Sequence, residues 1–327
     1  DLLGRSDVRQ TTLGLSDVAD TLLNQVIDLV EPPLREKWGR PVPAGYVLLG
    51  LGKLGGREIG YHSDLDLLLL YEADGATAGG AESTANSYYF TELAQRAIKA
   101  LGTMGPMGKL YSVDMRLRPT GKSGSLVLPV CEFDRYFGGG GAQLWERQSL
   151  ARARIVRGDG ELAVRVTARI HAAIVAAADS PSLVADVRKM REKLEANATS
   201  ASARNLKRGR GGLADVEFLV QLFQIRHGAE WPDVIRPNVW DAIDAREAAR
   251  PWSAPDAATL RDGYSFLRHV EARLRIVTDR PLTEIPENAA DVSKLARRLG
   301  FATPAAFQDE LTRTTGRIRA AFDRLAT

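Results

Sequence analysis

Apolar positions spaced three and four apart dominate both ends of this chain, and short continuous apolar runs dominate its middle. Residues 15–38 place Leu15, Val18, Leu22, Leu23, Val26, Ile27 and Val30 on one helical stripe. Ser16 or Asp17 is the candidate cap of that helix, and Pro32-Pro33 interrupts or ends it. Gly39 to Ala44 reads as a turn, Tyr46 to Leu49 as a short strand, and Leu54 to Ile59 as a short helix. The run from Asp64 to Tyr71 reads as a buried strand. Ala73 to Ala81, rich in Gly, Ala and Thr, reads as a flexible loop, and residues 82–102 as a helix. A turn at Gly105 to Gly108 leads to a strand over Lys109 to Leu117, a turn at Thr120 to Gly124 and a short strand at Leu126 to Leu128. Gly138 to Gly141 breaks the pattern, and Gln143 to Arg152 reads as a helix or an extended segment. From about Glu161 onward strand signals nearly vanish, and helical periodicity marks 183–196, 213–227, 257–278 and 304–325. The pattern predicts an α+β chain, with a mixed-sheet domain followed by an all-α helical bundle and no internal repeat. The expected divisions are a helical lead-in over 1–38, a mixed domain over 39–158 and a helical domain over 159–327.

Composition narrows the class. The chain has 327 residues, 44% hydrophobic and 26% charged, as an ordinary globular protein has. No apolar run approaches the ~18 residues of a membrane span, and no signal-peptide pattern is present. The single cysteine, Cys131, excludes an internal disulfide, fits a reducing cytoplasm and reads as a small core side chain. Four scattered histidines and one cysteine argue against a zinc site. The net charge of +3, with no long basic run or interleaved aromatic stripe, gives no ground to expect nucleic-acid binding. The chain begins at Asp1 without methionine and reads as a piece of a longer polypeptide.

The chemistry gathers around Gly50. Gly50-x-Gly52-Lys53 falls at a strand-to-helix turn, where backbone N–H groups approach a phosphate. The Gly-x4-Gly-Lys-Ser/Thr spacing of a P-loop is absent. Ser63-Asp64-Leu65-Asp66 then opens the leucine-rich strand. Alternation puts Asp64 and Asp66 on one face, about 7 Å apart, where they can share a hard cation such as Mg²⁺. The bland alternative is a solvated strand start. Asp114, in Tyr-Ser-Val-Asp-Met-Arg-Leu-Arg-Pro, lies on another predicted strand and could complete the metal site. It could equally form a salt bridge to Arg116 or Arg118.

The order of glycine turn, Asp-x-Asp on the next strand and a later strand aspartate resembles the nucleotidyltransferase superfold. Longer words are more specific. Gly-x-Gly-Lys-Leu-Gly-Gly-x-Glu-x-Gly-Tyr-x-Ser-Asp-Leu-Asp-Leu, Val-Asp-x-Arg-Leu-Arg-Pro-x-Gly-x-x-Gly, Trp-Glu-Arg-Gln-x-Leu-x-Arg-Ala-Arg and Gly-Gly-x-x-Asp-Val-Glu-Phe together span residues 50–218. They resemble the glutamine synthetase adenylyltransferase family. That family is a tandem enzyme: one half attaches AMP to a tyrosine of glutamine synthetase, and the other removes it by phosphorolysis. This chain resembles one half.

The resemblance implies roles residue by residue. Asp64, Asp66 and Asp114 match catalytic carboxylates that bind metal, two Mg²⁺ ions with ATP as substrate. Gly50, Gly52, Lys53 and Ser63 match the turn facing the nucleotide phosphates. Arg116 and Arg118 match a word that steers phosphates or orders the carboxylates. Glu146, Arg152 and Arg154 match later acidic and basic positions, Glu146 and Arg154 as nucleotide-binding residues, with an internal ion-pair network as the alternative. Gly211, Gly212, Asp215 and Glu217 match a word opening a helix of the second domain. They would line a cleft, although carboxylates are favoured in a first helical turn in any case. His62 departs from the serine usual there, and is a rim residue or a proton relay. Implied partners are glutamine synthetase, a PII signal protein and the other half of the tandem enzyme. Thr120-Gly-Lys-Ser-Gly124, Leu144-Trp-Glu-Arg-Gln148, Asp1-Leu-Leu-Gly and Leu15-Ser-Asp-Val-Ala-Asp resemble the transferring half, whereas Met115 resembles the removing half. The expected activity is transfer of AMP, with removal as the alternative. A silent regulatory module and a nucleotidyltransferase acting on RNA are rivals from other classes.

Overall fold

The computed structural model describes residues 4–106, 108–158, 160–198, 204–249, 252–278 and 280–327. Of the Asp1-Leu-Leu-Gly lead-in, only Gly4 lies among the described residues. The chain forms two compact units: Thr12–Ile59 with Ser63–Ala176, and Asp1–Thr11 with Gly60–His62 and Ala177–Thr327.

The first unit holds α1 (Val8–Val30, from Thr12 onward), α2 (Pro32–Trp38), β1 (Gly39–Val42), β2 (Tyr46–Gly50), α3 (Gly52–Gly55), β3 (Leu65–Tyr71), β4 (Ala76–Gly79), α4 (Asn86–Gly102), β5 (Val113–Asp114), β6 (Val127–Pro129), α5 (Val130–Gly138), α6 (Leu144–Leu150), β7 (Arg154–Gly158) and α7 (Gly160–Val175). Its main sheet runs β5-β3-β2-β7, with β6 also on β3. β2 pairs antiparallel with β3 and with β7. β5 and β6 pair parallel with the start and the end of β3. β3 is the middle of the sheet, which is why its sequence is an almost unbroken leucine run. Alternation sorts that run. Leu65, Leu67, Leu69 and Tyr71 join a core with Ala19, Leu23 and Ile27 of α1 and Tyr89, Phe90 and Leu93 of α4. Asp66, Leu68 and Leu70 take the opposite face.

Several local expectations are corrected. Neither Ser16 nor Asp17 caps a helix, because α1 already begins at Val8. Ser16 is buried within it, donating to the Thr12 carbonyl at 2.7 Å and accepting the Ile59 N–H at 3.1 Å. Pro32 ends α1 by opening α2, whose first turn needs no proline N–H. The expected turn at Gly39 to Ala44 contains β1, which pairs antiparallel with β4, itself inside the expected loop. The short helix sits at Gly52–Gly55, before the Leu54 to Ile59 position expected. The strand expected over Lys109 to Leu117 forms only at Val113–Asp114, where β3 offers a partner edge. Cys131 is exposed on α5, not a core residue.

The divisions also differ from those expected. Residues 12–38 are part of the mixed unit, because the apolar stripe of α1 packs on the sheet. α7 belongs there too, burying Leu162, Val166, Ile170 and Ile174, so the boundary falls near residue 176 and not near 158. An apolar stripe shows that a helix has a partner but not which element the partner is.

The second unit holds α8 (Leu183–Ala196), α9 (Leu213–His227), α10 (Val239–Ala249), α11 (Ala254–Thr278), α12 (Ala289–Arg298) and α13 (Pro304–Leu325). α9 is buried over most of its length and is its central helix, with α8, α10, α11 and α13 against it. Trp240 of α10 and Tyr264 of α11 meet edge to face at 4.9 Å. No described helix is long and apolar enough to cross a membrane.

Candidate active site

The Gly50 to Glu58 segment folds back over β3. Gly52 has a φ of +52°, the left-handed region that glycine tolerates. A Cβ there would collide with Asp66 Oδ2. The Leu51 N–H donates to the Asp66 carbonyl at 2.9 Å. Glycine at 52 thus gives the Asp66 carboxylate its room, and the backbone hydrogen bond fixes the turn beside it.

The turn is anchored from behind. Glu58 is fully buried, its N–H donating to the Lys53 carbonyl at 2.7 Å and its carboxylate 2.8 Å from Arg152 Nη2. Arg152 Nε donates to the Gly52 carbonyl at 2.9 Å. Two residues on, Arg154 donates to the carbonyls of Leu54 at 3.1 Å and Gly55 at 3.2 Å and pairs with Asp20 of α1 at 2.9 Å. Arg152 and Arg154 therefore form the internal network weighed as the alternative to direct nucleotide contact.

Asp66 and Asp114 lie in register on parallel neighbours β3 and β5. Strands in a sheet are about 4.8 Å apart, so two half-buried carboxylates share one edge of the sheet. Asp64 immediately precedes β3 and is exposed. Arg116 grips Asp114: its Nε donates to Oδ1 at 2.9 Å and Oδ2 at 2.8 Å, its Nη2 to Oδ2, and its backbone N–H to Oδ1 at 2.8 Å. The Arg116 side-chain hydrogen bond is the largest cause holding the Asp114 carboxyl below its ordinary value. Asp64 and Asp66 add to the raised basicity of Arg116, after Asp114 itself.

Among the described residues no three His, Cys, Asp or Glu side chains close into a metal-holding group. The donors nonetheless fit a hard cation in kind, being carboxylate oxygens, and in register, with Asp66 beside Asp114 and glycine beside Asp66. In this arrangement Arg116 supplies the counter-charge at Asp114.

The other expected site residues fall in several separate places. Lys53 and Ser63 are half-buried at the turn and just before Asp64, and Gly50 ends β2. His62 is exposed, with a φ of +55°, in the tripeptide counted with the helical unit. Arg118 braces its own loop, donating to the carbonyls of Met115 at 2.6 Å and Gly124 at 3.2 Å. Glu146 is buried as a cap: it accepts the Gln143 N–H at 2.8 Å, as the capping box of α6, and the Tyr136 hydroxyl at 2.9 Å.

The Gly211-Gly212 word is an interior feature of the helical unit. Asp215 is fully buried, paired with Arg191 and accepting the Gly211 N–H at 2.6 Å. Burial pushes its carboxyl up, opposed by Arg191 and Arg319. A Cβ at Gly211 would strike the Thr315 carbonyl of α13, so this glycine marks close backbone packing. Glu217 is half-buried and accepts the Tyr264 hydroxyl at 3.4 Å.

Sequence reasoning did not single out Glu58, Asp20 or Arg147. The buried Arg147 donates to the carbonyls of Phe137 at 2.8 Å and Ala173 at 2.6 Å, stapling α5 and α7 to α6. The alternating arginines of Arg152-Ala-Arg154 were the available signal for the first two.

The chain is similar to known proteins along nearly its whole length. The chain is 32% identical over 325 residues to the bifunctional glutamine synthetase adenylyltransferase/adenylyl-removing enzyme of Pseudomonas putida, covering 97% of this chain and 33% of that protein. The enzyme of the same name from Pseudomonas aeruginosa is 31% identical over 325 residues, 97% of this chain and 33% of that one. That of Burkholderia mallei is 33% identical over 348 residues, 99% and 37% respectively. The chain thus spans about a third of the length of these relatives. Residues 185–326 match the family model described as GlnD PII-uridylyltransferase. Residues 1–198, more than half of the chain, match the model described as glutamate-ammonia ligase adenylyltransferase, and it is to that family that the chain belongs.

Proposed function

We propose that this chain is a nucleotidyltransferase that transfers AMP from ATP to a tyrosine of glutamine synthetase. The observation that carries the reading is Asp66 in register with Asp114 beside a turn that only glycine allows. Family membership supplies the substrate class, since the relatives are named for adenylylating and deadenylylating glutamine synthetase. Cytoplasmic location, a PII signal protein as regulator and the other half of a tandem enzyme as partner belong to the same proposal.

In the adenylylating direction the tyrosine oxygen bonds to the α-phosphorus of ATP. The bond from that phosphorus to the α–β bridging oxygen breaks, pyrophosphate leaves and the hydroxyl proton passes to solvent. The Gly52 turn offers backbone N–H groups to the phosphates, with Lys53 beside it and Arg116 supplying positive charge at the carboxylates. Asp64, Asp66 and Asp114 would hold Mg²⁺, two ions in the full reading. Bound Mg²⁺ supplies Lewis-acid stabilisation of phosphoryl charge and acidifies the attacking hydroxyl, whose ordinary pKa is ~10. Asp66 and Asp114 are held in place for this by the sheet, and Asp66 also by the turn.

Direction rests on weaker residues. Thr120 to Gly124 and Leu144 to Gln148 favour transfer. Met115, buried in the mixed unit, favours removal, in which inorganic phosphate attacks the adenylyl phosphorus, the bond to the tyrosine oxygen breaks and ADP forms. A paired assay separates them. With ATP, Mg²⁺ and unmodified glutamine synthetase the chain is expected to incorporate AMP. No incorporation, together with phosphate-dependent ADP release from adenylylated synthetase, would reverse the direction.

A further inference from the structure

We propose that Glu58 and Arg152 act as positioning residues for Asp66, a role that rests on the nucleotidyltransferase reading. The loop from Gly52 to Glu58 is closed at both ends by one arginine. Arg152 Nε reaches the Gly52 carbonyl at 2.9 Å, while its Nη2 lies 2.8 Å from Glu58. The backbone carbonyl of Arg152 packs so closely on Gly55 that a Cβ there would strike it. Residue 152 thus touches the loop three times, at its start, middle and end.

Both residues are buried: Glu58 is 0% exposed and Arg152 6%. The contacts of Arg152 with Glu58 and with the Gly52 carbonyl give the pair a route to the chemistry through Gly52. That glycine lies against the Asp66 carboxylate, and a shift of the turn would change the space Asp66 has. The guanidinium fork matters because it makes two contacts at once. A lysine ammonium is a point charge on a flexible stem and could keep the charge opposite Glu58 without the tether to Gly52.

Two variants separate positioning from simple support. Arg152→Lys keeps the buried charge balanced. The double exchange Glu58→Leu with Arg152→Met removes both charges together, a replacement that buried pairs often tolerate. Amide hydrogen exchange is measured over residues 50–60 alongside melting temperature, kcat and the KM for ATP. For both variants the expected result is faster exchange at residues 51–56, by about tenfold, and a kcat lower by about 10–100-fold, the usual effect of removing an outer support of a metal ligand. KM for ATP should move less than kcat, and the melting temperature by a few degrees. Unchanged exchange at 51–56, or a rise spread evenly across the whole mixed unit, would overturn the proposal. Because exchange needs neither nucleotide nor protein substrate, absence of AMP transfer by the unaltered chain would count against the functional reading alone.

Discussion

Each unit of this protein contains a left-handed glycine against an aspartate, and the two were built for opposite ends. In the mixed unit, Gly52 leaves Asp66 half-buried at a sheet edge beside Asp114, with the ion pair of Glu58 and Arg152 hidden behind the turn. In the helical unit, Gly211 lets the start of α9 press against α13, and Asp215 is itself the hidden charge, paired with Arg191. The same short signature therefore marks the candidate site in one place and an internal clamp in the other. What separates them is burial: Asp215 is shut in the interior with Arg191, whereas Asp66 is half-buried beside Asp114.

The contrast can be broken most sharply by neutralising each aspartate in turn. Asp66→Asn should lower AMP transfer by on the order of 10³-fold, since a metal-binding carboxylate supplies several kcal/mol of transition-state stabilisation. Its melting temperature should barely move, and initial-rate assays with thermal melts read both effects. Asp215→Asn should do the reverse. It removes the closest buried partner of Arg191, which keeps Glu195 at 3.6 Å and the Gly209 carbonyl at 2.7 Å, so the cost should be about 3 kcal/mol, as urea unfolding would show, while the rate per folded molecule is retained.

Glycine substitutions sharpen the same point at smaller cost. Gly52→Ala adds a strained φ and a Cβ against Asp66, an expected loss of about 1–3 kcal/mol with a drop in rate beyond what stability explains. Gly79→Ala has a similar φ, +84°, but open space, so it should cost about 1 kcal/mol or a little more and leave the rate unchanged.

The smallest effect is on alkaline stability of the mixed unit. Burial is the largest cause raising Tyr46 and Tyr89 to about 12, with the nearby Glu31 carboxylate adding to it. A phenol with a raised pKa favours the fold fully below its ordinary value of ~10 and loses that contribution as pH climbs through its folded value. The melting temperature should therefore fall between pH 10 and about 12, and the double variant Tyr46→Phe with Tyr89→Phe should flatten that fall.

How much of this could be read from the sequence depended on the kind of contact. β3 was legible because a strand buried on both faces writes itself as a leucine run, whereas Asp64, expected on that strand, lies just before it. The extent of α9 was legible over 213–227, between Gly212 and Gly228, although burial on most sides leaves it no distinct polar face. β7 was missed: it is half-buried, and its Arg154 and Arg157 reach Asp20 and Asp28 of α1, so its sequence lacks an apolar signal. Ser16 looked like a cap because the Ile59 N–H that it accepts lies 43 residues away. The pairing of Glu58 with Arg152 was hidden for the same reason: each word is visible, but only the fold joins them. Arg118 and Glu146 illustrate a further limit. A charged residue in a family word gives no sign of whether it faces a ligand or, as here, a loop carbonyl and a helix cap.

The most direct test of the central claim follows the phosphorus. The chain is incubated with glutamine synthetase, Mg²⁺ and ATP labelled at the α-phosphate or, separately, at the γ-phosphate. Label from the α position should appear on a synthetase tyrosine, label from the γ position should leave as pyrophosphate, and Asp66→Asn should abolish both. Label from the γ position on the synthetase, or α-label transfer that survives Asp66→Asn undiminished, would contradict a nucleotidyl transfer site built on Asp66 and Asp114.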